Sequence, residues 1–195
     1  MASTATRPAD LDTPLWRYAL ALYRREGVAP ACLTLQAHLG LDVCMLIYAL
    51  YAAHSRCEVS PATVTHVDQG LKAWREQVVL PLRQIRQAMK VGVHEIAPDL
   101  NHWVREQIKA TEVNAEQVAL AYLNTHLASL PQATYAQDKS PDAVQHALRC
   151  VLGHFAHMNK HPLETLQMPD VRTAAGLLAS EAIGLQQAVN DGLKL

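Results

Sequence analysis

The chain has 195 residues, a formal net charge of −1 and a hydrophobic content of 50%. This length suits a single domain with a sizeable core. Because the net charge is close to zero, no global field would hold nucleic acid or an anionic membrane, and any such contact has to be local. Alanine, leucine and glutamine are abundant and β-branched runs are few, which favours helix throughout.

The first two helices are bounded by strong local signals. Thr13 followed by Pro14 is typical of a helix N-cap with proline in the first turn, and Gly27 is expected to end that helix. Pro30 is expected to begin the second helix, and Gly40 to end it. Two short helices joined by short turns have to pack as one compact unit with whatever follows.

The stretch from Val43 to Ala53 contains no charged or strongly polar side chain, and Asp42 before it is a good N-cap. A helix that is apolar all round belongs inside a protein or inside a membrane. The stretch is well short of the roughly 18 to 20 residues that span a bilayer. We therefore predict a buried central helix around which the other helices pack.

Ser60 and Pro61 open the longest apolar pattern, in which hydrophobic residues recur every three or four positions from Val64 to Met89. Pro81 interrupts this pattern and should either kink the helix or split it in two. Because the apolar spacing stays in phase on both sides of the proline, we favour a kink.

Three further helices are predicted, over 98–127, 141–161 and 169–190, and no strand of useful length is found. The fold class that follows is all-α, a compact bundle of six to eight helices around the buried central helix. The predicted layout of the chain is a flexible N-terminal tail at 1–12 and one helical domain at 13–195, with core helices at 13–128, a loop at 129–140 and C-terminal helices at 141–195.

Four segments share a recognisable order along the chain: L-W-R-Y-A-L-A-L-Y (Leu15 to Tyr23), G-V-A-P-A-C-L-T-L-Q (Gly27 to Gln36), G-L-D-V (Gly40 to Val43) and W-R-E-Q-V-V-L-P-L-R-Q-I-R (Trp74 to Arg86). With these segments the chain resembles a family of short uncharacterised proteobacterial proteins, a domain-of-unknown-function family, over about residues 13 to 90. The resemblance implies an all-helical, cytoplasmic bacterial protein, and it implies no known activity.

A basic stripe is the first candidate binding surface. On one helix at about 100° per residue, its members fall within about 80° of one another, beside the apolar face. They are Lys72, Arg75, Arg83, Arg86 and Lys90, and Asp68 is the acidic residue that shares the stripe. Aligned arginines can bind carboxylates, but they are also an ordinary solvated helix face. An acidic protein partner is the first expectation; nucleic acid is not favoured, because no aromatic residue alternates with the charges.

A histidine stripe is the second candidate. His146, Cys150, His154, His157 and His161 would lie within about 80° on one helix, opposite an apolar face. Imidazoles three and four residues apart can share one metal ion. Ordinary boundary histidines are the alternative, because no carboxylate ligand accompanies them and no zinc-protease signature occurs.

No catalytic motif was found in the sequence, whether a nucleophile elbow or a phosphate-binding glycine loop. The pair Glu112 and Glu116 is expected on an exposed face. The three tryptophans are expected to anchor the core, and the four cysteines to be reduced core thiols of a cytosolic protein. Those residues are Trp16, Trp74 and Trp103, and Cys32, Cys44, Cys57 and Cys150.

The leading hypothesis is a non-enzymatic interaction module or adaptor in the cytoplasm, with no cofactor and no membrane contact. The alternative is a metal-binding protein or metal-dependent enzyme that uses His154, His157 and His161. A homodimer is also predicted, because the ends of the two long helices would leave apolar residues such as Ile96 and Trp103 uncovered unless the C-terminal helices fold back over them.

Overall fold

The computed structural model describes residues 11–90, 96–132 and 140–191, and these residues form helices but no β-strand. The α-helices are α1 (Pro14–Tyr23), α2 (Val28–Leu39), α3 (Val43–His54), α4 (Pro61–Trp74), α5 (Leu80–Ala88), α6 (Pro98–Leu127), α7 (Ser140–Met158) and α8 (Pro169–Asn190). The predicted all-α bundle is confirmed. Most of the predicted N-terminal tail and of the loop at 129–140 lies outside the described residues.

Side-chain caps fix the starts of three helices where the sequence predicts them. Thr13 Oγ1 accepts a hydrogen bond from the Trp16 N–H at 3.1 Å, and Ser60 Oγ accepts one from Thr63 N–H at 3.1 Å. Asp42 Oδ1 accepts from the N–H groups of Cys44 and Met45 at 2.8 and 3.2 Å. Each cap satisfies donors that the first turn of a helix leaves without an intrahelical partner.

Glycines in the left-handed region lie at the N-cap and the C-cap of α2, whereas α1 ends before the predicted Gly27, at Tyr23 with Arg24 as its C-cap. Gly27 has a φ of 78° and Gly40 a φ of 63°, a conformation that other residues adopt only at a cost. Because Gly27 already turns the chain, α2 begins at Val28, two residues before the predicted start at Pro30. The two turns bring α1, α2 and α3 together within a short stretch of chain.

Helix α3 is the centre of the bundle, as predicted. Nine of its residues are buried, including Leu46 and Leu50 at 0% exposure. It contacts α1, α4, α6, α7 and α8. A helix with no polar face can be stable in water only when neighbours cover it on every side.

A π-helical turn, Arg75–Val79, joins α4 to α5. The N–H of Leu80 donates to the Arg75 carbonyl, so this turn holds one residue more than an α-helical turn. The chain stays helical through Pro81, and the long helix is therefore not split. The extra residue rotates the residues of α5 relative to those of α4, which breaks the single face that the sequence predicts.

The C-terminal helices pack mainly against α2 and α3. Helix α8 packs mainly along α2, while α7 packs mainly along α3 and also contacts α4. The side chain of Asn159 ties the end of α7 to α2, because its Nδ2 donates to the Leu39 carbonyl at 2.8 Å. Among the described residues, no single helix is long and apolar enough to cross a membrane; α2 and α3 reach that length only as a pair, bent by 119° at their junction.

Candidate functional site

Arg75 lies at the centre of a buried charge network. The residue is only 8% exposed, and its Nη1 lies 3.2 Å from Asp42 Oδ2 and also hydrogen-bonds Asp68 Oδ1. The carboxylate of Asp42 therefore caps α3 with one oxygen and binds Arg75 with the other. Asp68 is 2% exposed. Since a buried charge is tolerated only with a partner, these groups hold α3 and α4 together as a unit.

His154 extends this network from α4 to α7. Its Nε2 lies 2.9 Å from Asp68 Oδ2, and its Nδ1 lies 3.4 Å from Thr65 Oγ1. A carboxylate only accepts hydrogen bonds, so Nε2 is the nitrogen that donates here. The next residue, Phe155, has its ring centre 5.7 Å from the Arg75 guanidinium carbon, within cation–π range.

The other two arginines of the predicted stripe bind carboxylates of α6. Arg83 Nε donates to Glu112 Oε1 at 2.8 Å and Arg83 Nη2 donates to Glu116, while Arg86 Nη2 donates to Glu112 Oε1 at 3.1 Å. The expectation that these two glutamates lie on an exposed face is wrong for Glu112, which is 4% exposed. On α5 the two arginines are three residues apart, and on α6 the two glutamates are four residues apart. Opposite charges at one-turn spacing on two neighbouring helices are the sequence signal that could have revealed the pairing.

The two glutamates differ in their protonation behaviour. Burial alone would raise the pKa of Glu112, but hydrogen bonds and charges from Arg86 and Arg83 outweigh it and hold the pKa below its usual value. Burial raises the pKa of Glu116, and the neighbouring Arg83 compensates only in part. Arg83 and Arg86 therefore stabilise the charged form of Glu112 more effectively than that of Glu116.

The structure does not bring the five residues of the basic stripe onto one surface. Lys72 and Lys90 are exposed, and Lys72 Nζ is 3.9 Å from Glu76. The three arginines are partly or fully buried, and each is paired with at least one carboxylate. The positive charge that sequence spacing assigns to this stripe is largely neutralised inside the molecule.

The histidine stripe is also broken. Helix α7 ends at Met158, three residues before His161, and Lys160 follows in the left-handed region with a φ of 56°. His161 therefore leaves the helical face that the sequence predicts for it, while His157 is exposed and His154 is bound to Asp68. Within the described residues, no group of three or more histidine, cysteine, aspartate or glutamate side chains is arranged to hold a metal ion.

A cleft of about 420 Å³ borders the arginine–glutamate pairs, with walls from α1, α2, α3 and α6. Two thiols line it, and neither has the properties of a nucleophile. Burial raises the pKa of Cys32 to about 11 and that of Cys44 well above its usual value. Both stay protonated at neutral pH, whereas a reactive cysteine needs a thiolate.

A ridge of exposed apolar side chains lies where α5 ends and α6 begins. We define this distal ridge as Ile85, Ile96, Leu100, Trp103 and Val104. Trp103 is 65% exposed and Leu100 is 58% exposed, so the prediction that Trp103 anchors the core is wrong. Asn101 Nδ2 donates to the Met89 carbonyl at 2.9 Å, which keeps the two helix ends together.

The C-terminal helices do not cover the distal ridge, because α7 and α8 pack against α2, α3 and α4. The other tryptophans follow the prediction more closely. Trp16 packs against the core, and the Nε1–H of the half-buried Trp74 donates to the Ala115 carbonyl at 3.0 Å. Among the three tryptophans, Trp103 in the first turns of α6 is thus the exposed one.

Comparison with known proteins places the chain in a family. No curated protein and no solved structure matches it. Residues 14–123 match the family described as "Protein of unknown function (DUF2390)", a longer stretch than the sequence motifs indicate. These residues include α1 to α5, most of α6, and all of the arginines and carboxylates of the charge network. Because the match covers more than half of its residues, the chain belongs to this family of unknown function.

Proposed function

We propose that the protein is a non-enzymatic, cytoplasmic interaction module and that the distal ridge is its contact surface. The observation behind this proposal is the exposure of Leu100, Trp103 and Ile96, at 58%, 65% and 52%. Exposed apolar residues that cluster in this way commonly mark a protein–protein contact.

The partner that we propose for the ridge is a second copy of the chain. Leu100, Trp103 and Val104 share one face of α6, being three and four residues apart. Charges of both signs flank this face: Glu106 Oε2 lies 3.1 Å from Lys109 Nζ, and Glu106 Oε1 lies 3.0 Å from Arg105 Nη1. A surface with both signs side by side can pair with its own copy about a two-fold axis without net repulsion.

We do not place an acidic partner on the basic stripe, because Arg75, Arg83 and Arg86 already bind carboxylates. Pairing them with an external acid would require breaking hydrogen bonds to Asp68 and Glu112, both of which are buried. A free buried carboxylate is costly, so such an exchange is unfavourable.

Sedimentation at low micromolar concentration tests the ridge. The wild-type chain is expected at twice its monomer mass of 21.5 kDa, and the variant Leu100→Lys/Trp103→Lys at the monomer mass. Both substituted residues are exposed, so thermal unfolding of the variant should be close to that of the parent. Leu33→Lys on α2, where the side chain is 64% exposed, is the matched control and should remain dimeric. A monomeric wild-type chain would overturn the dimer.

A further inference from the structure

An open groove of about 1000 Å³ runs between α7 and α8. Each of the two helices packs mainly on a different neighbour, α7 on α3 and α8 on α2, and the two also contact each other. Apolar side chains from both helices and from the turn between them line it: Leu148, Leu152, Leu166, Val171, Ala175 and Ile183. A groove of this composition suits a ligand with one apolar face.

Three arginines also line the groove, and two of them are exposed without a carboxylate partner among the residues that the structure describes. These are Arg149 and Arg172; the third, Arg25, is paired with Glu181. Arg172 lies close to the N-terminus of α8, where the helix dipole disfavours a positive charge. The stability of its own helix therefore does not explain this arginine.

The length of the groove points to an elongated ligand. Along α8 its lining residues extend from Val171 to Gln187. Sixteen residues of helix cover about 24 Å. A single small anion occupies only one part of such a distance, whereas a helix can run along it and carry carboxylates on successive turns.

We propose that the α7–α8 groove binds an amphipathic helix of a partner protein, with its apolar face on the groove floor and its carboxylates on Arg149 and Arg172. This is the helix-in-groove mode of recognition, with charge complementarity setting the orientation. The inference rests on the proposed interaction role but not on the distal ridge, which lies on other helices.

The first test uses a synthetic helical peptide of about 18 residues, about 27 Å long, with an apolar stripe of leucine flanked by glutamates. Its binding to the full-length protein is measured by fluorescence anisotropy and compared with that of the same peptide carrying glutamine for glutamate. We expect the glutamate peptide to bind at least about tenfold more tightly, with affinity falling as salt is raised. Equal affinity for the two peptides, or no saturation below about 1 mM, would overturn the proposal.

The arginines are tested by the double variant Arg149→Gln/Arg172→Gln, in which at least about tenfold loss of affinity for the glutamate peptide is expected. Arg24→Gln is the matched control, because Arg24 is an exposed arginine outside the groove. Unchanged affinity in the double variant, or an equal loss in the control, would show that the groove arginines are not the contact.

The groove floor is tested by Gly176→Leu. No atom lies within 4 Å of a Cβ added at Gly176, so the leucine fits the fold while its side chain fills part of the groove. A Cβ at Gly153 on α7 also meets no atom within 4 Å, and Gly153 does not line the groove, so Gly153→Leu is the control. Loss of peptide binding only in Gly176→Leu supports the site. Loss in neither variant overturns it.

Peptide binding and self-association are measured separately, so the two proposals fail independently. The ridge variant Leu100→Lys/Trp103→Lys should bind the glutamate peptide as the parent does. A dimeric protein that does not bind the peptide would remove the groove site and leave the ridge. A monomeric protein that binds the peptide would remove the proposed dimer through the ridge and leave the groove site.

Discussion

Two groups of arginines in this protein have opposite surroundings. Arg75, Arg83 and Arg86 lie between α3, α4, α5 and α6 and are bound to carboxylates of the same chain. Arg149 and Arg172 lie along the α7–α8 groove, exposed and without an ion pair in the described part of the chain. The first group holds helices together, and only the second offers positive charge to a partner.

The two groups of arginines also lie on different sides of the boundary of the family match. The first group and its carboxylates fall within residues 14–123, while the groove is formed mainly by residues beyond 140. His154 connects the charge network to the C-terminal helices through its contact with Asp68, and Asn159 and Arg25 make further hydrogen bonds between the two regions, to the Leu39 carbonyl and to Glu181. In this chain the matched segment therefore contains the arginine–carboxylate pairs, and the C-terminal helices add a surface of a different kind. Substitutions in the two regions should accordingly change different properties.

The largest effect is expected for Arg75→Glu. The change leaves Asp68 and Asp42 without their partner and places a third carboxylate between them, so the free energy of unfolding should fall by about 3–5 kcal/mol. Urea denaturation measures the loss. Lys72→Glu, one turn earlier and exposed, is the control and should change stability by less than about 0.5 kcal/mol. Equal stability of the two variants would mean that the network does not hold the helices together.

This expectation differs from what the sequence suggests, because an ordinary solvated helix face, the alternative that spacing allows for Arg75, Arg83 and Arg86, would tolerate a change of charge. Spacing within the stripe points to Asp68, which lies seven residues before Arg75, but it could not reveal the carboxylates that come from elsewhere in the chain, such as Glu112, 29 positions away from Arg83. The π-helical turn also has no sequence signal beyond Pro81, and it changes which side of the helix each arginine faces.

The features that were predictable depend on local chemistry. Thr13, Ser60 and Asp42 cap their helices from a few residues away, and Gly40 ends a helix through its own backbone freedom. The buried helix α3 was predictable because its composition leaves no polar face. The exposure of Trp103 was not predictable, because the apolar residues around it have the same helical spacing in the sequence whether or not another helix covers them.

A smaller effect is expected for Glu112→Gln. Glu112 accepts hydrogen bonds from both Arg83 and Arg86, and loss of its charge should cost about 1.5–3 kcal/mol. Glu116→Gln should cost less, because burial of Glu116 already disfavours its charged form. Thermal or urea unfolding of the two variants at neutral pH gives the order. A larger loss for Glu116→Gln would show that Glu112 is not the principal partner of the arginines.

The pH dependence of the same variant should be distinctive. Because the pKa of Glu112 is lower in the folded chain, its contribution to stability is present above its unfolded pKa, about 4.3, and is lost as the pH falls through the folded value. The parent and Glu112→Gln should therefore differ most at neutral pH and converge in acid. Unfolding curves at several pH values test this, and a gap that persists at the lowest pH would show that the lost interaction is not the charge.

The smallest effect on stability, and of opposite sign, is expected for Arg172→Glu. The residue is exposed and lies near the N-terminus of α8, where a negative charge is favoured by the helix dipole, so stability should rise by about 0.3–1 kcal/mol at low salt. The same change should weaken binding of the glutamate peptide, because it places a carboxylate in the groove. Arg149 lies further along its own helix, so Arg149→Glu should change the free energy of unfolding by less than about 0.5 kcal/mol. It should weaken binding of the glutamate peptide as much as Arg172→Glu does. A chain that becomes slightly more stable while it loses a ligand shows that the arginine serves binding and not folding. If Arg172→Glu instead destabilised the protein by as much as Arg75→Glu does, the two groups of arginines would not differ in role.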